Sequence, residues 1–212
     1  MDVCLVDLHA GPVQDAAAEF KALYPNRKSL GVACDVSSEE SMGALVRTVL
    51  AEFPGQQLGA VFANAGVIFN RTIMRSSLSD FKLTFEVNVI GTVNTFKHFV
   101  PIAQRQASPC IVAATSSVGG LLRGDGGGAA YQGSKHAITA ICESLSFELA
   151  RKHPHIRVHV ICPCQVASSL GVTSMTNRAA AQGKIAADEV RQIDAQQAWF
   201  TMSAEAHAQQ VF

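Results

Sequence analysis

The sequence predicts an α/β fold built on a parallel sheet with crossover helices, in a single domain spanning residues 1–212. Three observations lead there. Short runs rich in β-branched residues and cysteine alternate with longer stretches of helical period, the order that produces a parallel sheet. Apolar residues make up 48% of the chain and charged residues 16%, the balance of a packed core rather than of a disordered segment. A length of 212 residues supplies one sizeable core and does not call for a second.

Taken in order, the first strand-like run is Val3 to Val6, ending at Asp7, and the second is Leu30 to Cys34, ending at Asp35. The helix after Asp35 should open on a capping box, with Ser37 capping and Glu40 reaching back. Met42, Leu45, Val46, Val49, Leu50 and Phe53 recur at spacings of three and four, so one face is expected on the sheet until Pro54 and Gly55 end the helix. A third run, Leu58 to Ala63, breaks at Asn64, Ala65 and Gly66. A long helical pattern then covers about Leu78 to Gln104, and Pro101 should bend or shorten its last turns. The fourth run, Cys110 to Thr115, leads through a loop containing Gly124, Gly126, Gly127 and Gly128 into a helix of about Ala130 to Lys152. The fifth, Ile156 to Cys162, stops at Pro163. Beyond Ser168 the chain is polar and alanine-rich, with a helical pattern from Ser203 to the end.

Composition narrows the function. Lys plus Arg equals Asp plus Glu, 17 of each, so no net field draws the chain to nucleic acid or to an acidic membrane, and a small-molecule partner is expected. The cysteines sit mostly within apolar runs, and the opening MDVCLVD has an acid where a signal peptide carries basic residues; both point to a reduced, cytoplasmic chain. No apolar stretch approaches the roughly 18 residues of a membrane span. His153, His155, His159, Cys162 and Cys164 are zinc-ligand types, but most of them lie along a strand, whose alternate side chains point to opposite faces; no metal is expected. A serine hydrolase would need Gly-x-Ser-x-Gly, which neither Ser116 nor Ser117 satisfies.

Tyr131 and Lys135 stand four apart at the start of a helix, so their side chains share one face. A phenol ordinarily loses its proton near pH 10, and an adjacent ammonium favours the phenolate, which is what a tyrosine needs to act as acid and base near neutrality. Ser117, at the end of the preceding strand, offers a hydroxyl that could hold a carbonyl or alcohol oxygen.

The segments TSSVGG and YQGSK, preceded by NAG at 64–66 and by the Asn of VNVIG at 88, together resemble the short-chain dehydrogenase/reductase family in type, order and spacing. The likeness covers about residues 1–168. It implies a Rossmann-like, doubly wound sheet and an oxidoreductase that interconverts an alcohol and a ketone or aldehyde by hydride transfer. It further implies a catalytic set of Asn88, Ser117, Tyr131 and Lys135. Tyr131 would exchange the proton, Ser117 steady the substrate oxygen, Lys135 also hold the nicotinamide ribose, and Asn88 hold a water that relays protons. The loop from Ser117 to Tyr131 is one residue longer than the common pattern, so Ser116 remains a second candidate. For the cofactor, Asp7 would bind the adenosine ribose and favour NAD over NADP, Asp35 and Val36 would meet the adenine, and Asn64, Ala65 and Gly66 would turn beside the ribose. Pro163, Val166 and Ser168 match the nicotinamide-side run, with Cys164 where the family has glycine, a strain if that residue needs positive φ. Homodimers or homotetramers are implied by the same resemblance.

The family opens with a strand and a Thr-Gly-x-x-x-Gly-x-Gly turn whose amides take the pyrophosphate. The chain contains no such segment, and Asp7 leaves no room for one, so the sheet is expected to be incomplete, without its first strand and without its last. The first strand belongs inside the order 3-2-1-4-5-6. Without it, the strands ending at Asp7 and Ala63 must either pair directly or both keep an unpaired edge. Met1 is then expected to be an internal methionine of a longer reading frame, or the chain a truncated gene product. The alternative to an enzyme is an impaired family member that serves binding or oligomerisation.

Overall fold

A computed structural model of the chain describes residues 1–122, 128–164, 166, 170–171 and 174. It contains β1 (Val3–Asp7), α1 (Ala10–Leu23), β2 (Ser29–Ala33), α2 (Glu39–Glu52), β3 (Ala60–Ala63), α3 (Leu78–Phe85), a π turn (Glu86–Ile90), α4 (Gly91–Gln104), β4 (Cys110–Thr115), a 3-10 turn (Val118–Gly120), α5 (Ala129–Ala150) and β5 (Ile156–Ile161). The architecture is Rossmann-like with a partial sheet. The chain gathers into two compact units. The first holds Met1–Ala65, Ile90–Ala113 and Leu145–His159; the second holds Gly66–Val89, Ala114–Ser144 and the described residues from Val160 on.

In the first unit β1 and β2 pair in parallel, Val3 against Ser29 through Asp7 against Ala33. The crossover is α1, which buries Val13 and Ala17, one turn apart. Gly31 of β2 is fixed by that packing: a Cβ there would lie 2.5 Å from the carbonyl oxygen of Val13. α2 buries Met42 and Leu45 in a core with Cys34, Val61 and Phe99, and Val46 and Val49 pack against it. Leu50, placed on the stripe by its spacing, is exposed instead. The expected cap is displaced by one residue. Ser38 caps α2 by accepting from the Ser41 amide, because Ser37 is drawn back to Asp35, donating to its carboxylate through both amide and hydroxyl.

The strands form two separate sheets, β1-β2 and β3-β4-β5. Of the two outcomes open to an incomplete sheet, the chain takes the second: β1 and β3 do not pair. All of β1 and all of β3 instead line one cavity of about 690 Å³ in the first unit. The long helical stretch runs from Leu78 to Gln104 as expected, but it is interrupted by the π turn, and it continues three residues past Pro101. Gly124, Gly126, Gly127, Ser168 and the expected helix from Ser203 lie outside the described residues.

Candidate active site

In the second unit the end of β4 places Thr115, Ser116 and Ser117 against the first turns of α5. Two parts of the chain make this close approach. Gly120, in the 3-10 turn, has no room for a Cβ, which would fall 2.7 Å from the Lys135 carbonyl oxygen. Ser116 is buried and donates to that same carbonyl at 2.8 Å, with Thr139 2.9 Å away. Ser116 thus ties β4 to α5. Ser117 caps the 3-10 turn by accepting from the Gly119 amide at 3.1 Å, and its side chain hydrogen-bonds Tyr131.

Tyr131 and Lys135 lie on one face of α5, the Lys135 Nζ 5.4 Å from the centre of the phenol ring. Lys135 is buried and donates to the Thr115 carbonyl at 2.7 Å. Burial pulls its ammonium down from 10.5 to about 8, against a smaller opposing pull from Cys162. Burial also pushes the Tyr131 phenol above its usual value, and the bond to Ser117 works against that rise. This differs from the sequence expectation of a phenol whose acidity is set by the lysine. The ammonium is engaged by a backbone carbonyl, and desolvation of the phenol is the larger effect.

Asn88 occupies the π turn and is fully buried. Its side-chain oxygen accepts from the Val67 amide at 2.8 Å, and its nitrogen donates to the Val67 carbonyl at 3.0 Å and to the Ser134 hydroxyl at 2.9 Å. Ser134 in turn donates to the Tyr131 carbonyl at 2.7 Å. Asn88 therefore clamps the chain just beyond NAG and reaches the backbone of Tyr131 through one hydroxyl. π turns of this kind often mark functional sites. Asn88→Ala would strip both polar groups of Val67 of a partner, and a loss of about 2 kcal/mol in urea unfolding is expected.

Sequence reasoning missed three participants: the carbonyl of Thr115, the hydroxyl of Ser134 and the thiol of Cys162. Ser134 was readable in principle, since a serine within a helix often bonds back to a carbonyl one turn earlier. Thr115 offers a backbone atom, which no side-chain pattern reveals, and Cys162 is brought near only by the fold.

The residues proposed for the cofactor divide between the units. In the first, Asp7, Val36, Asn64 and Ala65 all line the 690 Å³ cavity. Asp7 is exposed at the carboxyl end of β1, accepting from the His9 amide at 3.0 Å. Asp35 is not in that lining, its carboxylate being held by Ser37. In the second unit are Gly66, Tyr131, Lys135, Pro163 and Val166. Pro163 accepts from the Val118 amide at 2.9 Å, one residue beyond Ser117. Ser168 lies outside the described residues. Cys164 is exposed and does not take positive φ, so the strain foreseen for a residue replacing glycine does not arise. An exposed carboxylate at a strand's carboxyl end suits a ribose diol, and a buried lysine beside a phenol suits a second sugar. The sequence carries no Thr-Gly-x-x-x-Gly-x-Gly segment.

Of the zinc-type residues, His155 faces the Ala103 carbonyl at 3.1 Å, and no three His, Cys, Asp or Glu gather as a metal site among the described residues. No helix among them is long and apolar enough to cross a membrane.

Comparison with known proteins adds independent findings. A profile of the family described as short chain dehydrogenase matches residues 1–182. The chain is 29% identical over 173 residues to tropinone reductase-like 1 of Erythroxylum coca, covering 78% of this chain and 60% of that protein. It is 29% identical over 175 residues to xanthoxin dehydrogenase of Arabidopsis thaliana, covering 82% and 59%. The chain therefore spans about 60% of the length of these curated relatives. A short-chain dehydrogenase/reductase of Burkholderia phymatum, solved in complex with NAD, superposes with a TM-score of 0.87 at 26% identity, over 99% of this chain and 74% of that one. An alcohol dehydrogenase of Thermococcus sibiricus, complexed with 5-hydroxy-NADP, shares the fold with a TM-score of 0.71 at 24% identity, over 80% and 68%.

Proposed function

From the premise that this chain belongs to the short-chain dehydrogenase family, we propose that it is the larger part of an oxidoreductase that interconverts a small alcohol and the corresponding ketone or aldehyde. The observation that carries the reading is the contact set in the second unit: the Ser117 hydroxyl bonded to Tyr131, and the Lys135 ammonium 5.4 Å from its ring. Tyr131 gives a proton to, or takes one from, the substrate oxygen at its phenol oxygen. Ser117 orients that oxygen with a second hydrogen bond. Lys135, close to half-protonated near pH 8, supplies a positive charge beside the phenol and holds the nicotinamide-side ribose. Asn88 fixes the backbone at Val67 and, through Ser134, at Tyr131; it acts as a positioning residue, with a water-mediated proton relay as its further role. A bound nicotinamide cofactor would supply or accept the hydride. The exposed carboxylate of Asp7 supports NAD over NADP, because it can accept from ribose hydroxyls and repels a 2′-phosphate.

All six cysteines are free, which supports a reducing, cytoplasmic setting, and association into a dimer or tetramer is proposed on the family resemblance alone. A second reading is an impaired member retained for binding, for which the separate β1-β2 and β3-β4-β5 sheets are the supporting observation. On either reading the chain by itself is expected to bind NAD weakly and to turn over slowly, which calorimetry with NAD checks; tight binding would contradict it. The deciding experiment is an NADH absorbance assay over a panel of alcohols and ketones, run on this chain and on one extended at its N-terminus with a strand and a glycine turn. Turnover in the extended chain supports the oxidoreductase; turnover in neither favours the binding protein.

A further inference from the structure

Residues 67–71, in the second unit, are held at both ends by the stretch that forms α3 and the π turn. Asn88 clamps Val67 at one end. At the other, the Arg71 guanidinium stands 3.9 Å from the carboxylate of Asp80, a residue only 1% exposed. Asp80 is itself fixed. Its Oδ2 accepts from the Ser77 amide at 3.1 Å, its amide donates to the Ser77 hydroxyl at 3.1 Å, and its carbonyl accepts from the buried Thr84 hydroxyl at 2.7 Å. Ser77 and Asp80 thus form a capping box at the start of α3. Such a box works with a neutral amide side chain as well as with a carboxylate, so capping gives no reason to bury a charge, which costs free energy unless it is paired. The Arg71 guanidinium supplies the pair.

The backbone of Arg71 carries the restraint onward. Its carbonyl accepts from the Gly128 amide at 2.9 Å, and the Gly128 carbonyl accepts from the Gln132 amide at 2.8 Å, in the first turn of α5. Gly128 sits so close that a Cβ on it would meet the Asn70 Oδ1 at 3.5 Å and the Tyr131 Cβ at 3.9 Å. We propose that Asp80 and Arg71 are positioning residues for Tyr131: their ion pair fixes the Arg71 carbonyl, which sets where α5 begins and how deeply the phenol three residues on is seated. Asn88 reaches the same turn through Ser134, so the start of α5 is held by two arms from one helical stretch. This role rests on the reading of Tyr131 as the proton-exchanging group, but it can be measured without turnover.

The test uses the intact 212-residue chain. Tyr24 and Tyr131 are its two tyrosines, so in a Tyr24→Phe background the ultraviolet phenolate band reports Tyr131 alone. Burial holds that phenol above its usual value. Asp80→Asn keeps an acceptor for the Ser77 amide and removes the charge. It is expected to move the Tyr131 midpoint down toward 10, by about half a pH unit or more, as the phenol gains water. Hydrogen exchange at the Gly128 amide should quicken about tenfold, with the β4 amides unchanged. Arg71→Met is expected to do the same, and the double variant no more than either, since both break one link. Ser77→Ala weakens the cap but leaves the pair, so it should lower the urea midpoint and move neither readout. Circular dichroism at each pH restricts the titration to folded protein, and exchange at pH 7 carries the test should a variant unfold before the phenol titrates. An unmoved phenol midpoint in Asp80→Asn, exchange that quickens uniformly across β4 and α5, or a Ser77→Ala shift as large as that of Asp80→Asn would overturn the proposal. None of these readings depends on turnover, which the absorbance assay tests separately.

Discussion

In the chain extended at its N-terminus, Tyr131→Phe is expected to lower turnover by about 10²–10⁴-fold, with unfolding stability changed by no more than about 1 kcal/mol. The substitution removes one oxygen. That oxygen is the proposed donor and acceptor of the reacting proton, and in the fold its described bond is to Ser117. The pH dependence follows from the same environment. Because burial holds the phenol above its usual value, Tyr131 is protonated at neutral pH and ready to protonate a carbonyl oxygen. Alcohol oxidation needs the phenolate, so its rate should climb with pH, and the climb should flatten above about 8, where Lys135 loses the charge that favours phenolate. Steady-state rates in both directions from pH 6 to 10, at saturating cofactor, check this. Retention of most activity by the phenylalanine variant would remove Tyr131 from the mechanism.

Lys135→Met is expected to abolish turnover and yet to unfold no more easily than the parent at pH 7. Burial depresses the ammonium from 10.5 to about 8, so the folded state holds this proton less tightly than the unfolded chain. The resulting penalty is fully present below pH 8 and is relieved as pH rises toward 10.5, which makes Lys135 a contribution to stability that increases with pH. The shift corresponds to about 3 kcal/mol. Methionine avoids that penalty and fills a similar volume, but it leaves the Thr115 carbonyl without a charged donor, which costs about 1–2 kcal/mol. A net gain of about 1–2 kcal/mol near neutrality is the balance. Tyr131 has the opposite sign: its raised value contributes stability that is present below pH 10 and lost above it. Urea unfolding of parent and variant at pH 7 and pH 9 isolates the lysine. The parent should gain on the variant as pH rises, and a variant much weaker at pH 7 would contradict the account. A buried cation kept at such cost is what a functional site requires and a merely structural one does not.

Much of the site was legible because its chemistry is local. Tyr131 and Lys135 share a face by helical period alone, and the polar breaks after Val6, Cys34 and Ala63 marked the strand ends to within one residue because turn residues interrupt apolar runs for steric reasons. What failed to show was nonlocal or a matter of backbone. The motif named Ser117 and left Ser116 as a second candidate; what separates them is the extended backbone, which aims one hydroxyl at the Lys135 carbonyl and the next toward Tyr131. The α2 cap moved from Ser37 to Ser38 because Asp35 competed for the first serine. Leu50 matched the period but found no wall to cover it, and it stayed exposed.

The order of the strands and the common helix face of phenol and ammonium were settled by the sequence itself, since each rests on periodicity or spacing within a few residues, and the family was legible through the resemblance of its linked motifs. Only the tertiary structure decided whether β1 and β3 would close on each other. They stay apart because each is already committed to a partner on one edge and to helices on its face: β1 is bonded to β2 and backed by α1, and β3 is bonded to β4 and backed by α4. Closing the gap would give a few ladder bonds at the expense of that packing, and no reading of single segments could weigh the two. The same limit applies to Lys135, whose number in the chain fixes its neighbour on the helix, whereas its depressed proton affinity comes from the depth at which the fold buries it.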